Sequence, residues 1–292
     1  MTLLHSGSVI EALSNIGIIK GPEARVFVVD PSDSGFTIQN AIDECIAAKG
    51  DVILMLPGAS DVTTSVLFNK SGINVIAVNR GLNPMVDGEF HSILSNASYT
   101  NGPAATITAS CRIIGMGFVS RDTGSLFFSG AACLLGGDGA QGAPPFGVQM
   151  KNCRFPKWGL DNRIGLAIEG SSNVLIEDTD FEGAFGAGIY VQGACGHLTV
   201  RKSHFTLMTY AIEHGSFSDA GVNTQFFYGP GNVTVGPTKG VKSNSSAAKV
   251  TIFGNYWATP VNSTHDQSID DMESDGYICA GNYYADEERD DE

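Results

Sequence analysis

Apolar runs of three to five residues, broken by Gly, Asn, Asp and Ser, recur along the chain from Val26 onward. A helix needs apolar residues at i, i+3, i+4 and i+7 over about a dozen positions, so these short runs read as strands joined by turns. Aligning MKNCRF (Met150–Phe155), IEDTDF (Ile176–Phe181), VRKSHF (Val200–Phe205), IFGNYW (Ile252–Trp257) and ICAGNY (Ile278–Tyr283) puts an apolar residue five positions before an aromatic one each time. The leading residues lie 26, 24, 52 and 26 apart, so the interval of 52 holds two turns, one of them degenerate. Ile113, in IIGMGF, and Ile76 extend the series upstream at intervals of 37, as turns carrying inserted loops. A second column runs in parallel: GLAIEG (Gly165–Gly170), GIYVQG (Gly188–Gly193) and YAIEHG (Tyr210–Gly215) follow one another 23 and 22 residues apart.

A fixed period with at least two strands per repeat predicts a solenoid in which successive rungs lie about 4.8 Å apart and like residues stack. The expected fold class is all-β: a right-handed, single-stranded parallel β-helix. Phe118, Phe155, Phe181, Phe205, Trp257 and Tyr283 are expected to form one internal ladder. Asn152 and Asp178 occupy an expected turn, where Asn and Asp side chains bond the neighbouring backbone. Lys202, Gly254 and Gly281 replace them on other rungs, which predicts no continuous Asn ladder. One segment has helical period instead. Ile38, Ala41, Ile42, Cys45 and Ile46 share a helix face, Thr37 is placed to cap it, and Gly50 to end it. A capping helix over 37–49 would cover the core and block edge pairing at the first rung.

The stretch VDPSDSGFTIQNAIDECIAAKGDVILMLPG (Val29–Gly58) resembles the opening segment of the pectate-lyase-like right-handed parallel β-helices, through Ile38, Gln39, Ala41, Ile42, Asp43, Leu56, Pro57 and Gly58. The resemblance implies the fold and leaves function open, because that family includes lyases, hydrolases, epimerases, tailspikes and noncatalytic virion proteins.

Charge narrows the choice. The net charge is −14, with 17 Lys and Arg against 31 Asp and Glu, which argues against nucleic-acid binding and against a basic membrane patch. No stretch reaches the roughly 18 apolar residues of a membrane span. The N-terminus lacks the basic region and apolar block of a signal peptide, so synthesis in a host cytoplasm is expected. Six cysteines stand without a CxxC pair, and they read as reduced, buried apolar residues. No spacing points to a metal or another cofactor. Three parts are expected: an apolar arm over 1–25, a β-helix over 26–284, and an acidic tail over 285–292.

Two sets of residues carry candidate chemistry. Glu177, Asp178, Asp180 and Glu182 in EDTDFEG crowd carboxylates onto one rung, the residue type that glycoside hydrolysis requires in pairs. Glu169, Gln192 and His214, each just before a repeated glycine, are placed to line a groove one rung apart, with Glu213 beside them. The plainer reading is that both sets are solvated outer faces. The Gly-His-Gly and Arg-Ile-Lys patterns of the polygalacturonase-type relatives are missing; GHL at Gly196–Leu198 is not that motif. The expected function is therefore a noncatalytic virion component of capsid decoration or cement type, placed on the virion surface. Its expected partners are a major capsid protein or other virion proteins. The apolar residues Leu3, Leu4, Val9, Ile10, Leu13 and Ile16 would anchor it, and a homotrimer is implied by the viral β-helices that it resembles. The alternative is a tailspike-like or carbohydrate-active protein that binds or cleaves polysaccharide, with Glu169, Asp178, Asp180, Glu182 and His214 as its candidate catalytic residues.

Overall fold

The computed structural model describes residues 24–78, 92–95, 102–119, 131–136, 145–156, 164–183, 186–192, 195–214, 224–236, 239–243, 248–258, 269–270, 277–281, 283–284 and 289–290. The expected arm over 1–25, with its anchor residues Leu3, Leu4, Val9, Ile10, Leu13 and Ile16, lies almost wholly outside them. The described strands wind into three parallel sheets of ten, ten and eight strands. One full winding shows the plan: Val174–Glu177 belongs to the first sheet, Asp180–Glu182 to the second and Ala187–Gln192 to the third. Leu198–Arg201 then returns to the first sheet, paired in parallel with Val174–Glu177. The chain is thus a parallel β-helix whose core is the stacked inward residues of all three sheets.

Stacking explains the repeated aromatics. Phe155, Phe181 and Phe205 sit in register on the second sheet, fully buried. Their rings are nearly parallel, with centroids 4.6 and 4.8 Å apart, which is the spacing of the rungs themselves. Phe118 continues the stack at 5.5 Å. The degenerate turn places Thr234 where the next aromatic belongs. Tyr228 of the first sheet fills the gap, its ring 5.7 Å from Phe205 and 5.7 Å from Trp257, and its hydroxyl 2.9 Å from Thr234 Oγ1. Gly165 and Gly188 of the third sheet make room for the stack. A Cβ on Gly165 would stand 3.0 Å from Phe181 Cδ1, and one on Gly188 would stand 2.8 Å from Phe205 Cδ1.

Register differs from the aligned repeats at two places. Trp257 pairs with Tyr284, so the last member of the aromatic column is not Tyr283; Tyr283 pairs with Tyr256 and stacks on it outside, at 5.3 Å. Upstream, Val75 rather than Ile76 lies beside Ile113 in the inward column. A slip of one residue exchanges inside for outside, and an apolar residue at both positions hides the slip in the sequence.

The turn between the first and second sheets carries two columns. Gly115, Asn152, Asp178, Lys202, Gly254 and Gly281 all have φ between 50° and 74°, the left-handed region, which explains Gly, Asn and Asp there more directly than side-chain bonding does. The polar ladder lies one residue further on. Thr179 N–H donates to Ser203 Oγ at 3.2 Å, Ser203 N–H to Asn232 Oδ1 at 2.9 Å, and Asn232 N–H to Asn255 Oδ1 at 3.2 Å. The Asn232 and Asn255 side-chain amides donate onward to Val200 O and Tyr228 O. All four ladder residues are buried. The Asn152–Asp178 column holds no continuous Asn ladder, as expected, and the column beside it carries the one that forms.

The capping helix spans Ile38–Glu44, shorter than the 37–49 expected. Thr37 caps it through a reciprocal bond pair with Asn40, and Ile38, Ala41 and Ile42 face the core. The helix stops at Cys45, whose ψ of 144° turns the chain out, and leaves Ile46 51% exposed. Buried Asp51 fixes that exit. Its carboxylate accepts from Ile46 N–H at 2.9 Å, Arg25 N–H at 2.9 Å and the Arg25 guanidinium at 2.8 Å. At the other end, Arg289–Asp290, within the expected acidic tail, pairs antiparallel with Tyr283–Tyr284 and covers that open edge.

Candidate functional site

The carboxylate-rich segment turns a corner. Glu177 ends a strand of the first sheet, Asp178 occupies the left-handed turn, and Asp180 and Glu182 point outward from the second sheet. The four acids therefore do not share one flat face. Each meets a basic side chain instead. Glu177 lies between Lys151 on one rung and Arg201 on the next. Its two oxygens stand 3.0 Å from Lys151 Nζ and 3.0 Å from Arg201 Nε, with Lys202 Nζ at 3.6 Å. Asp178 pairs with Lys151 at 3.5 Å, Asp180 with His204 Nδ1 at 3.3 Å, and Glu182 with Arg154. Burial raises the pKa of Glu177, but its hydrogen bond to Lys151 and the charges of Lys151 and Arg201 outweigh that, leaving it below the ordinary value. Glu177 is thus held ionised at neutral pH, the wrong state for a general acid. The hydrogen bond that the Asp180 carboxylate accepts from the His204 imidazole raises the pKa of His204, ahead of a smaller opposing effect of burial.

The third sheet sorts the other candidates. Glu169 and Gln192 are paired neighbours, as their place before the glycines suggests. His214 is not in their column. It pairs with Val191, points inward, is 4% exposed and packs edge-on against Phe226 at 5.2 Å. Burial lowers its pKa to about 4, so it is a neutral core residue and lines no groove. The repeat shortens from 23 to 22 residues at this rung, and aligning on the glycines places His214 one position out. Glu213 takes the outward position, 3.5 Å from Lys242 Nζ, and Lys242 lies 5.1 Å above the Tyr210 ring. Tyr190 sits between Ala167 and Glu213 in the same column. Toward the N-terminus this outer face is apolar and closed: Ala131, Leu134, Ile164, Ala167, Ala187 and Tyr190 form a buried cluster of their own.

Lys242 and Tyr210 escaped the sequence reading. The strand Lys239–Ser243 continues the third-sheet column after Tyr210 but offers only Val241 as an apolar marker. Among the described residues, no three His, Cys, Asp or Glu side chains converge as metal ligands. Cys45, Cys111, Cys133, Cys153 and Cys195 are buried. Burial pushes the thiols of Cys45, Cys111, Cys153 and Cys195 up to about 12, so they are poor nucleophiles.

These features define a parallel β-solenoid whose outer acids tie one rung to the next. A profile of the right-handed β-helix region matches residues 85–256, and the chain belongs to that family. No curated protein matches it by sequence. Among solved structures, pectin methylesterase PemA from Erwinia chrysanthemi is 10% identical, with 90% of this chain and 92% of that one covered at a TM-score of 0.52. ORF18 of Geobacillus virus E2 is 12% identical, with 95% of this chain covered and a TM-score of 0.49; this chain spans 63% of its length. Pectate lyase Pel9A is 16% identical, with 88% and 62% covered and a TM-score of 0.48. At such identities the likeness concerns the fold.

Proposed function

We propose that this chain is a noncatalytic structural protein, a β-helix that coats or decorates a virus particle. The observation that carries the reading is the cross-rung pairing of Glu177, Asp178 and Glu182 with Lys151, Arg201 and Arg154, and of Asp180 with the His204 imidazole. A hydrolytic pair needs one carboxyl group kept protonated near neutral pH. Glu177 is instead held ionised and spent on cohesion between rungs. Placement on a particle is supported by the apolar residues Leu3, Leu4, Val9, Ile10, Leu13 and Ile16, which suit an anchor to a capsid protein. The strongly acidic composition suits a solvent-facing shell component.

A second reading is polysaccharide binding on the outer face of the third sheet. It is favoured by Tyr210, Glu213 and Lys242 grouped on the sheet that also carries the Glu169–Gln192 pair, since an aromatic ring with flanking polar groups suits a sugar. Two measurements separate the readings. Purified protein incubated with acidic and neutral polysaccharides should release no reducing ends or unsaturated products; any turnover abolished by Glu213→Ala or Glu169→Ala would overturn the structural reading. Deleting residues 1–23, which keeps Arg25 on buried Asp51, should abolish attachment to particles while leaving the β-sheet circular dichroism intact. Unchanged attachment would remove the anchor.

A further inference from the structure

We infer that a cleft on the outer edge of the first sheet binds a small oxyanion: a carboxylate, sulfate or phosphate group, alone or on a molecule about the size of one sugar. The cleft has a volume of about 330 Å³ and is lined by residues of successive rungs, among them Lys49, Asn74, Ser110, Arg112 and Gln149. That size lies at the lower end of the roughly 300–1,000 Å³ typical of small-molecule sites. Asn74, Arg112 and Gln149 are adjacent members of one outward column, three rungs long, and Gln149 lies two residues before Lys151, whose ammonium pairs with Glu177 and Asp178.

Its chemistry is opposite to that of the chain. The net charge is −14, yet the lining includes Lys49 and Arg112 and no acid. Arg112 is oriented within it. Its Nε donates to Gln149 Oε1 at 3.0 Å, which fixes the guanidinium plane. The two terminal nitrogens of Arg112 have no protein partner among the described residues, nor has the Asn74 side-chain amide. A planar fork held at one edge and open at the other is suited to bidentate binding of an oxyanion. The Asn74 side-chain amide adds a neutral donor, and no acid lines the cleft; the Ser110 hydroxyl is already engaged, donating to Phe146 O at 2.6 Å. Next to Gly147, the exposed Phe146 offers a flat apolar surface to whatever carries the anion.

The test is titration of the full chain with sodium sulfate, sodium phosphate and glucuronate at constant ionic strength, followed by amide NMR and calorimetry. Saturable shifts confined to the cleft are expected. Arg112→Gln should weaken binding at least tenfold, and Asn74→Asp, which puts a carboxylate into the cleft, should abolish it while leaving the melting temperature nearly unchanged. Lys249→Ala, an exposed cation further along the same sheet, should bind as the parent does. Tighter binding of glucuronate than of the inorganic ions would assign the site to an anionic sugar, and equal binding would assign it to the anion alone. Linear, unsaturable shifts, or undiminished binding by both Arg112→Gln and Asn74→Asp, would overturn the inference.

Discussion

Replacing Phe181 by alanine tests whether the aromatic stack is the mechanical centre of the fold. The ring is fully buried and packed on both faces, by Phe155 at 4.6 Å and Phe205 at 4.8 Å, while its edge rests against Gly165. Truncation removes the transfer energy of a whole ring and leaves a cavity whose walls cannot close, because the rungs above and below are fixed by parallel pairing. Phe→Ala changes in such sites cost about 3–5 kcal/mol, and the rigid walls put this one at the upper end. Phe181→Leu keeps most of the volume and should cost roughly 1.5 kcal/mol or less beyond the lost stacking. Urea unfolding followed by Trp257, buried further along the same column, measures the global effect. Hydrogen exchange measures the local one. A solenoid couples mainly neighbouring rungs, so protection should fall first in Arg154–Phe155, Asp180–Glu182 and His204–Thr206 and persist in Val52–Met55. A loss below about 1 kcal/mol, or an equal loss of protection at every rung, would refute the stack as a local keystone.

Other perturbations separate the remaining elements. Asn232→Ala should cost about 1–3 kcal/mol in thermal or urea unfolding, because it strands the buried Ser203 N–H, while the Val200 carbonyl keeps its bond from Gly229 N–H at 2.8 Å. His214→Leu should flatten the acid limb of the stability curve. His214 is neutral in the fold with a pKa near 4 but takes a proton near pH 6.5 when unfolded, so its contribution is complete above pH 6.5 and is lost as pH falls toward 4, on the order of 3 kcal/mol in all. The His204–Asp180 pair has the opposite sign. The raised His204 pKa adds stability below pH 6.5 that fades as pH rises through the folded value, so His204→Ala should lower the melting temperature at pH 5 more than at pH 8. Glu177→Gln should destabilise by roughly 1–3 kcal/mol by leaving Arg201 without its counter-charge and Lys151 with Asp178 alone, and Lys151→Ala by less, since Lys151 is half exposed.

The errors of register show what a single sequence holds and what it does not. Period and apolar spacing revealed the solenoid, because every rung must bury the same columns or lose its core. Phe155, Phe181 and Phe205 align correctly since the two turns between them are 26 and 24 residues long and each keeps the same short corner. The misplacements fall where that corner or the return loop changes length. Between Tyr228 and Thr234 the corner holds one residue more than between Val200 and Phe205, and the aromatic column is carried there by a ring from another sheet. At the last rung Gly254-Asn255-Tyr256 repeats as Gly281-Asn282-Tyr283, and that match gives the true register, whereas matching on Ile252 and Ile278 does not. The backbone explains the difference. A left-handed turn admits few residue types, while an inward strand position admits any apolar side chain. Turn glycines and asparagines are therefore firmer register marks than aliphatic residues. Function follows the same logic in reverse. The outward columns are free to vary, so EDTDFEG reads equally well as catalyst or as solvated face until the neighbouring rungs are placed beside it. Only the pairing of Glu177 with Lys151 and Arg201, residues 26 and 24 positions away, separates cohesion from catalysis. Arg112 and Gln149 meet across 37 residues, with an inserted loop between them, and the cleft they form has no local signature at all.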